Sequence, residues 1–375
     1  MTFRSMSRVV LQHLHEIRHR LWNQDETLQT VRLWPETQLR ISSTYVAMFL
    51  EETRIQEALQ DCLQACAVSR VVTTLHLGSL PEPDMEAALL TLARVSNNIK
   101  GGTPSLRNIH IGPLNASCSI SGKVLTKLLQ TLAGSPLKVL DCPCRIRVPN
   151  RTVMEALAQA LSQLPDLKRL RLHIVPRTSI ERPTLHVDSL LRVVGDLDFL
   201  EITAGYPEHN PYQQPIVQKE TLSQLIPRNP SLRILTLANL GLTSSHVQSL
   251  FRGPWPAKLQ HLGLPFNTRL ARQSEWVSSL AKQMENPERT TLQSVQVSSR
   301  ENSMAVDIWT TLNRLGRDEL VKATEGSAAH VHAWQDLMVL VQVESKDELL
   351  RLNLLSTLIR QQPTLALQCL SQVVS

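Results

Sequence analysis

The chain has 375 residues, 42% of them apolar and 19% charged, with a net charge of +6. That apolar content excludes a disordered tail, and six Cys in this length do not make a small disulfide-stapled module. No run approaches the roughly 18 apolar residues of a membrane helix and no secretory leader is read, so the expectation is a protein without a membrane span, cytoplasmic first, with a nuclear or organellar location as the alternatives.

Residues 1–27 come first. Val9, Leu11, Leu14, Ile17 and Leu21 recur there at two- to four-residue steps, close to the spacing of an amphipathic helix. Two readings fit. One is a helical cap closing the first edge of a repeat array. The other is an organellar transit peptide, because Arg4, Arg8, Arg18 and Arg20 accompany two Ser. Glu16 and the immediate junction with the next element favour the cap.

From residue 28 to about 300 a single pattern recurs, apolar-x-x-apolar-x-apolar. In chain order the copies are Leu28/Val31/Leu33, Val72/Leu75/Leu77, Leu106/Ile109/Ile111, Leu137/Leu140/Cys142 and Leu167/Leu170/Leu172. Leu197/Leu200/Ile202, Leu232/Leu235/Leu237, Leu259/Leu262/Leu264 and Leu292/Val295/Val297 follow. Their first positions step by 44, 34, 31, 30, 30, 35, 27 and 33 residues, a mean of 33. Positions two apart face the same side of a strand. Each copy therefore predicts a short strand that cannot bury its apolar side alone, whereas stacked copies bury a continuous core.

Helical stretches alternate with these strands. Residues 152–164 place Val153, Leu157, Ala160 and Leu164 on one stripe, and Thr243 is the expected N-cap of a helix reaching Leu250. Residues 273–284 carry Trp276, Leu280 and Met284 at a spacing of four. Strand then helix about every 30 residues predicts a parallel sheet covered by helices. The longest irregular insertion runs from Gly205 to Lys219 and holds Pro207, Pro211, Pro215, Tyr206 and Tyr212. It reads equally as a contact loop or a tolerated surface insertion. Residues 301–375 leave the pattern, and 305–320 and 345–360 read as helices of a C-terminal cap.

The unit LRILTLANLGLTSSHVQSLF at 232–251 resembles that of ribonuclease-inhibitor-type leucine-rich repeats: three apolar strand positions, then Leu240, Leu242 and a capped helix. Asn267, eight residues after Leu259, stands where that family often places an Asn whose side chain satisfies backbone groups in the turn. The matching positions Leu80, Leu114, Val175 and Gly205 lack it. The resemblance covers about residues 28–300. It implies an α/β solenoid, a horseshoe with parallel strands on the concave face, helices on the convex face and helical caps at 1–27 and 301–375. It is nearly silent on function.

The charge is uneven. Residues 123–182 hold eleven basic and four acidic side chains, a net +7 that leaves −1 for the remainder. With Leu170 and Leu172 inward, Arg169, Arg171 and His173 face the concave side, and the same offset gives Arg32, Trp34, His76, Asn108, His110, Asp141, Phe199 and Glu201. Arg145, Arg147, Arg151 and Arg177 are expected just beyond the strand ends. The expectation is a non-enzymatic protein-binding scaffold, monomeric, taking an acidic protein partner. Its concave-face contacts are Arg32, Trp34, His76, His110, Arg169, Arg171, His173 and Glu201. Arg145, Arg147, Arg177, Tyr206 and Tyr212 stand at the rim and insertion.

Alternatives carry less. A solvated, unused face explains most charge clusters. Nucleic acid is the weaker partner, because aromatics are 4% and none interleaves with the basic cluster. A substrate-recognition or regulatory subunit of a larger complex, such as a ubiquitin ligase, would need an adaptor-binding element in 1–27 or 301–375. Leu80-Pro-Glu-Pro83 looks like the start of an F-box, but inside the array it reads as a turn into a helix. No phosphate-cradling loop, nucleophile elbow or HExxH pair occurs, so no catalytic residue, cofactor or metal is expected. Cys142 reads as a small core residue and Cys62/Cys66 as helix packing, and Cys118, Cys144 and His110 match no zinc spacing.

Overall fold

The computed structural model describes residues 3–23, 25–33, 53–78, 82–98, 105–112, 119–176, 186–205, 215–252, 257–271, 275–286, 289, 291–297, 304–317, 328–344, 348–361 and 363. The chain divides into two compact units, Met1–Asn210 and Pro211–Ser375. The division falls inside the insertion between Gly205 and Lys219.

The first unit begins with α1 (Phe3–Trp22). It continues through β1 (Thr30–Arg32), α2 (Thr53–Val68), β2 (Thr74–His76), α3 (Glu82–Asn98), β3 (Asn108–His110) and β4 (Ser119–Ser121). Then come α4 (Gly122–Thr131), β5 (Val139–Arg147), α5 (Arg151–Ser162), β6 (Arg169–Val175), α6 (Asp188–Val193) and β7 (Phe199–Ala204). Its strands are parallel and lie in the order β1-β2-β3-β5-β6-β7, with β4 also paired to β5. Each helix from α1 to α6 packs against the next along the chain.

The second unit is built alike. It runs α7 (Lys219–Arg228), β8 (Ile234–Ala238), α8 (Ser244–Leu250), β9 (His261–Leu264), α9 (Thr268–Ala271), α10 (Glu275–Met284) and β10 (Ser294–Val297). α11 (Met304–Arg314), α12 (Ala328–Glu344) and α13 (Glu348–Gln361) close it. β9 pairs in parallel with β8 on one side and β10 on the other.

Both units are α/β with repeat-like parallel strands, as the spacing predicts. Every triplet position is buried except Val295 and Val297 in the last copy, which are half-buried. A fully buried Leu or Ile side chain contributes about 1.5–3 kcal/mol, so a three-residue strand is held by its neighbours rather than by itself. The backbone repeats the same device at each step. Gln29 O accepts from the N–H groups of Thr73 and Thr74, Thr73 O from Arg107 and Asn108, Arg107 O from Lys138 and Val139, and Lys138 O from Lys168 and Arg169. In the second unit Arg233 O takes Gln260 and His261, and Gln260 O takes Gln293 and Ser294. Each carbonyl just before a strand thus registers the start of the next one.

The helices follow from their stripes. α5 buries Val153, Met154, Leu157 and Leu161 and is capped by the Asn150 side chain, which accepts from the N–H of Val153 at 3.0 Å. α10 buries Trp276, Leu280 and Met284. α1 buries Val10, Leu14, Ile17 and Leu21 against α2, and Cys62 Sγ donates to Leu14 O at 3.0 Å. Burial pushes the Cys62 thiol up to about 12 and the Cys66 thiol higher still, so both remain neutral packing groups. Cys118 lies outside the described residues.

Some expectations need correction. Thr243 precedes α8, but its hydroxyl meets Ser245 Oγ (3.0 Å) and His246 Nδ1 (2.7 Å), and no side-chain cap to the backbone forms. β5 runs to Arg147, well past the third triplet position Cys142. Its pairing with β6 jumps from Cys142↔Leu172 to Arg145↔His173, a two-residue bulge that keeps the alternation of faces. Arg145 and Arg147 consequently stand on the strand, not beyond it. At the far end, Arg317 is 2% exposed, stacks on Trp309 at 4.3 Å and donates to Met284 O and Glu285 O, sealing the end of α10. Burial pulls that guanidinium down to about 10, so it stays charged at neutral pH.

Gly112 sits at φ +87°, where a Cβ would lie 2.1 Å from Cys144 Sγ, itself buried and donating to Ile111 O at 3.0 Å. Gly112→Ala should therefore destabilise by about 2 kcal/mol, combining left-handed strain with a displaced core thiol. Thermal denaturation checks this, and an unchanged midpoint would mean the turn relaxes freely.

Candidate functional site

Alternate residues of the first unit's strands are withdrawn into the core, which leaves the others on one open face. Three rows cross that face in strand register. The first is Thr30, Thr74, Asn108, Val139, Arg169 and Phe199. The second is Arg32, His76, His110, Asp141, Arg171 and Glu201. Beyond the bulge, Ser119, Arg145, His173 and Thr203 form the third.

The second row is a cross-strand chain of contacts. His76 and His110 stack with ring centroids 4.3 Å apart and 7° between planes. His110 Nδ1 lies 3.2 Å from Asp141 Oδ2. Arg171 stands between two carboxylates, its Nη1 3.5 Å from Asp141 Oδ1 and its Nε 2.9 Å from Glu201 Oε2. Although 2.9 Å is short enough for a hydrogen bond, the Nε–H is not aimed at the oxygen and makes none; Asp141 Oδ1 makes none either. Attraction along the row is therefore mainly coulombic. Burial works to raise the Asp141 carboxyl, but the His110 hydrogen bond and the charges of Arg171, His110 and Arg169 outweigh it and hold the carboxyl below its ordinary value.

The outer rows differ. Arg169 is exposed and its guanidinium lies over the Phe199 ring, Cζ to ring centroid 4.1 Å. The adjoining Lys168 is paired with Asp196. His173 is half-buried, and its Nε2 is 2.8 Å from Gly205 O; burial keeps the ring below its usual value, with Arg145 adding to the effect. Arg147 reaches Glu86 Oε1 on α3 at 3.3 Å, and that oxygen also accepts from the N–H of Ser121 at 2.6 Å. Across the described open face, Arg32, Arg145, Arg147, Arg169 and Arg171 stand against Asp141 and Glu201, an excess of three positive charges with His neutral.

No model of a known family matches this chain, and no curated protein matches it. The face has to speak through its own chemistry. Of the residues expected on it, Arg32, His76, His110, Arg169, Arg171, His173 and Glu201 share it, joined by Arg145 and Arg147. Trp34, Arg177, Tyr206 and Tyr212 lie outside the described residues. Asp141, Phe199 and Glu86 enter as partners of the arginines. The first two occupy the outward offset already visible in sequence, whereas Glu86 comes from a helix and leaves no such signal.

No group of three His, Cys, Asp or Glu among the described residues is placed to hold a metal ion. No described helix is long and apolar enough to cross a membrane. A cavity of about 660 Å³ opens instead at the ends of α1 and α2, lined in part by Leu21, Trp22, Val68 and Arg70. The ion pair of Arg18 and Asp61, 2.6 Å apart, stands in its wall, and no imidazole or thiol is among its described lining residues.

Proposed function

We propose that this protein is a leucine-rich-repeat scaffold of ribonuclease-inhibitor-like type that binds an acidic protein partner on the open face of its first unit and catalyses no reaction. The observation that carries the reading is the excess of arginine over carboxylate on a parallel lattice of strands about 4.8 Å apart. Positive potential spread over such a lattice steers an acidic partner and fixes its register. The repeated carbonyl before each strand and the buried side chain of Asn267 support the repeat assignment.

The test compares two variants of equal charge change on different surfaces. Arg32→Glu with Arg169→Glu alters exposed open-face positions, whereas Lys123→Glu with Lys127→Glu alters exposed positions on α4. Proteins captured from cell extract by the intact chain should fall by about tenfold with the first variant and hold with the second. Equal loss, or no loss, in both variants overturns the reading.

A further inference from the structure

Resting on that reading, we propose that Arg169, held over the ring of Phe199, is the residue of the open face that grips a carboxylate, taking one Asp or Glu side chain of the partner at two points. The two residues are register partners on β6 and β7, and the guanidinium carbon sits 4.1 Å above the ring centroid. That contact restrains the exposed guanidinium against the ring. A planar fork oriented in advance loses little freedom when a carboxylate docks.

Among the described residues nothing takes up the donors of Arg169. No side-chain hydrogen bond or ion pair joins it to a described residue, whereas Arg171 lies between Asp141 and Glu201 and Arg147 meets Glu86. The rest of its row is uncharged: Thr30, Thr74, Asn108, Val139 and Phe199. Asn108 Nδ2 donates to Thr74 Oγ1 at 2.8 Å, so the neighbouring amide is already engaged.

The adjoining row chooses the anion. Asp141 and Glu201, one pleat away, flank Arg171, which offsets only one of their two negative charges, so Arg169 supplies the one positive charge left for an incoming anion. One guanidinium is matched in charge by one carboxylate, whereas a phosphate of nearly two charges would keep an unmatched charge beside Asp141 and Glu201.

The probe is a fluorescein-labelled hexaglutamate peptide, followed by anisotropy, with hexaglutamine as the uncharged control. Arg169→Lys keeps the charge but loses the fork, and binding should weaken roughly tenfold. Phe199→Leu keeps apolar bulk but loses the ring, and should weaken binding about threefold. Phe199→Tyr keeps the ring and should bind as the parent does, which keeps the test decisive if the leucine variant folds poorly. Parent-like binding by Arg169→Lys overturns the two-point grip, while the scaffold reading survives if the paired open-face variant still loses its captured proteins. Hexaglutamate bound no better than hexaglutamine, or less tightly than a hexaserine peptide with one phosphoserine, also overturns the assignment.

Discussion

Arg171→Glu is expected to lower the melting temperature of the chain by roughly 8 °C, corresponding to about 2–4 kcal/mol. Its side chain is 21% exposed, between Asp141 at 15% and Glu201 at 23%, so solvent screens the row only in part. Substitution would set three carboxylates side by side at the strand spacing of about 5 Å, with like charges directly opposite one another. Arg171→Met should cost less, because it removes the attraction without adding a third negative charge. Restoring neutrality with Asp141→Asn and Glu201→Gln in the Arg171→Glu background should recover most of the loss. A midpoint within a degree of the parent's would show that the row contributes nothing to folding.

Acid makes the same point with the opposite sign. The Asp141 carboxyl is depressed in the folded chain, so its contribution to stability is complete above the unfolded carboxylate value near 4 and disappears as pH falls through the folded value. The gap between parent and Arg171→Glu should therefore narrow below about pH 4, where protonation quenches both the attraction and the repulsion. Calorimetry across pH 2–7 reads it directly, and a gap that stays constant or widens in acid would place the effect elsewhere.

Arg171 also shows where the sequence is readable and where it is not. Its outward direction follows from Leu170 and Leu172, because the pleat leaves only two faces. The same logic places Arg169, His173, His76 and His110, and it explains why nine triplets predict nine strands. Cross-strand neutralisation has no such signature. Counting charge from 123 to 182 yields +7, yet Glu201 and Glu86, which face Arg171 and Arg147, lie outside that window. β4 escapes the pattern because Ser119-Ile120-Ser121 offers one apolar position where a triplet needs three. α12 escapes because it is apolar around much of its circumference, and Val339 and Leu340 are exposed while Leu337 and Val341 are buried. A stripe cannot be read from a helix that has none.

Asn267→Ala should be the costliest single substitution in the second unit, about 3–5 kcal/mol or roughly 10 °C in the melting midpoint. The side chain is 1% exposed and fully engaged. Its Oδ1 accepts from the N–H groups of Leu240 (2.9 Å) and Leu242 (3.1 Å), and its Nδ2 donates to the carbonyls of Leu237 (2.8 Å), Leu264 (3.1 Å) and Pro265 (3.3 Å). Those five groups belong to the ends of β8 and β9 and the two turns that follow them. Each turn holds a non-glycine residue in the left-handed region, Asn239 at φ 54° and Phe266 at φ 62°, and Asn239 N donates to Pro265 O at 3.0 Å. One amide therefore ties together two backbone segments that are each strained by about 1 kcal/mol or more. Removing it strands two N–H donors in the core and frees both turns. Asn267→Asp should be at least as damaging at neutral pH, because a carboxylate can still accept from Leu240 and Leu242 but points its second oxygen at three carbonyls. Hydrogen exchange at the amides of Leu240 and Leu242 gives the local readout: their protection should collapse in both variants, and amides that stay protected would mean that water or the turn itself replaces the side chain.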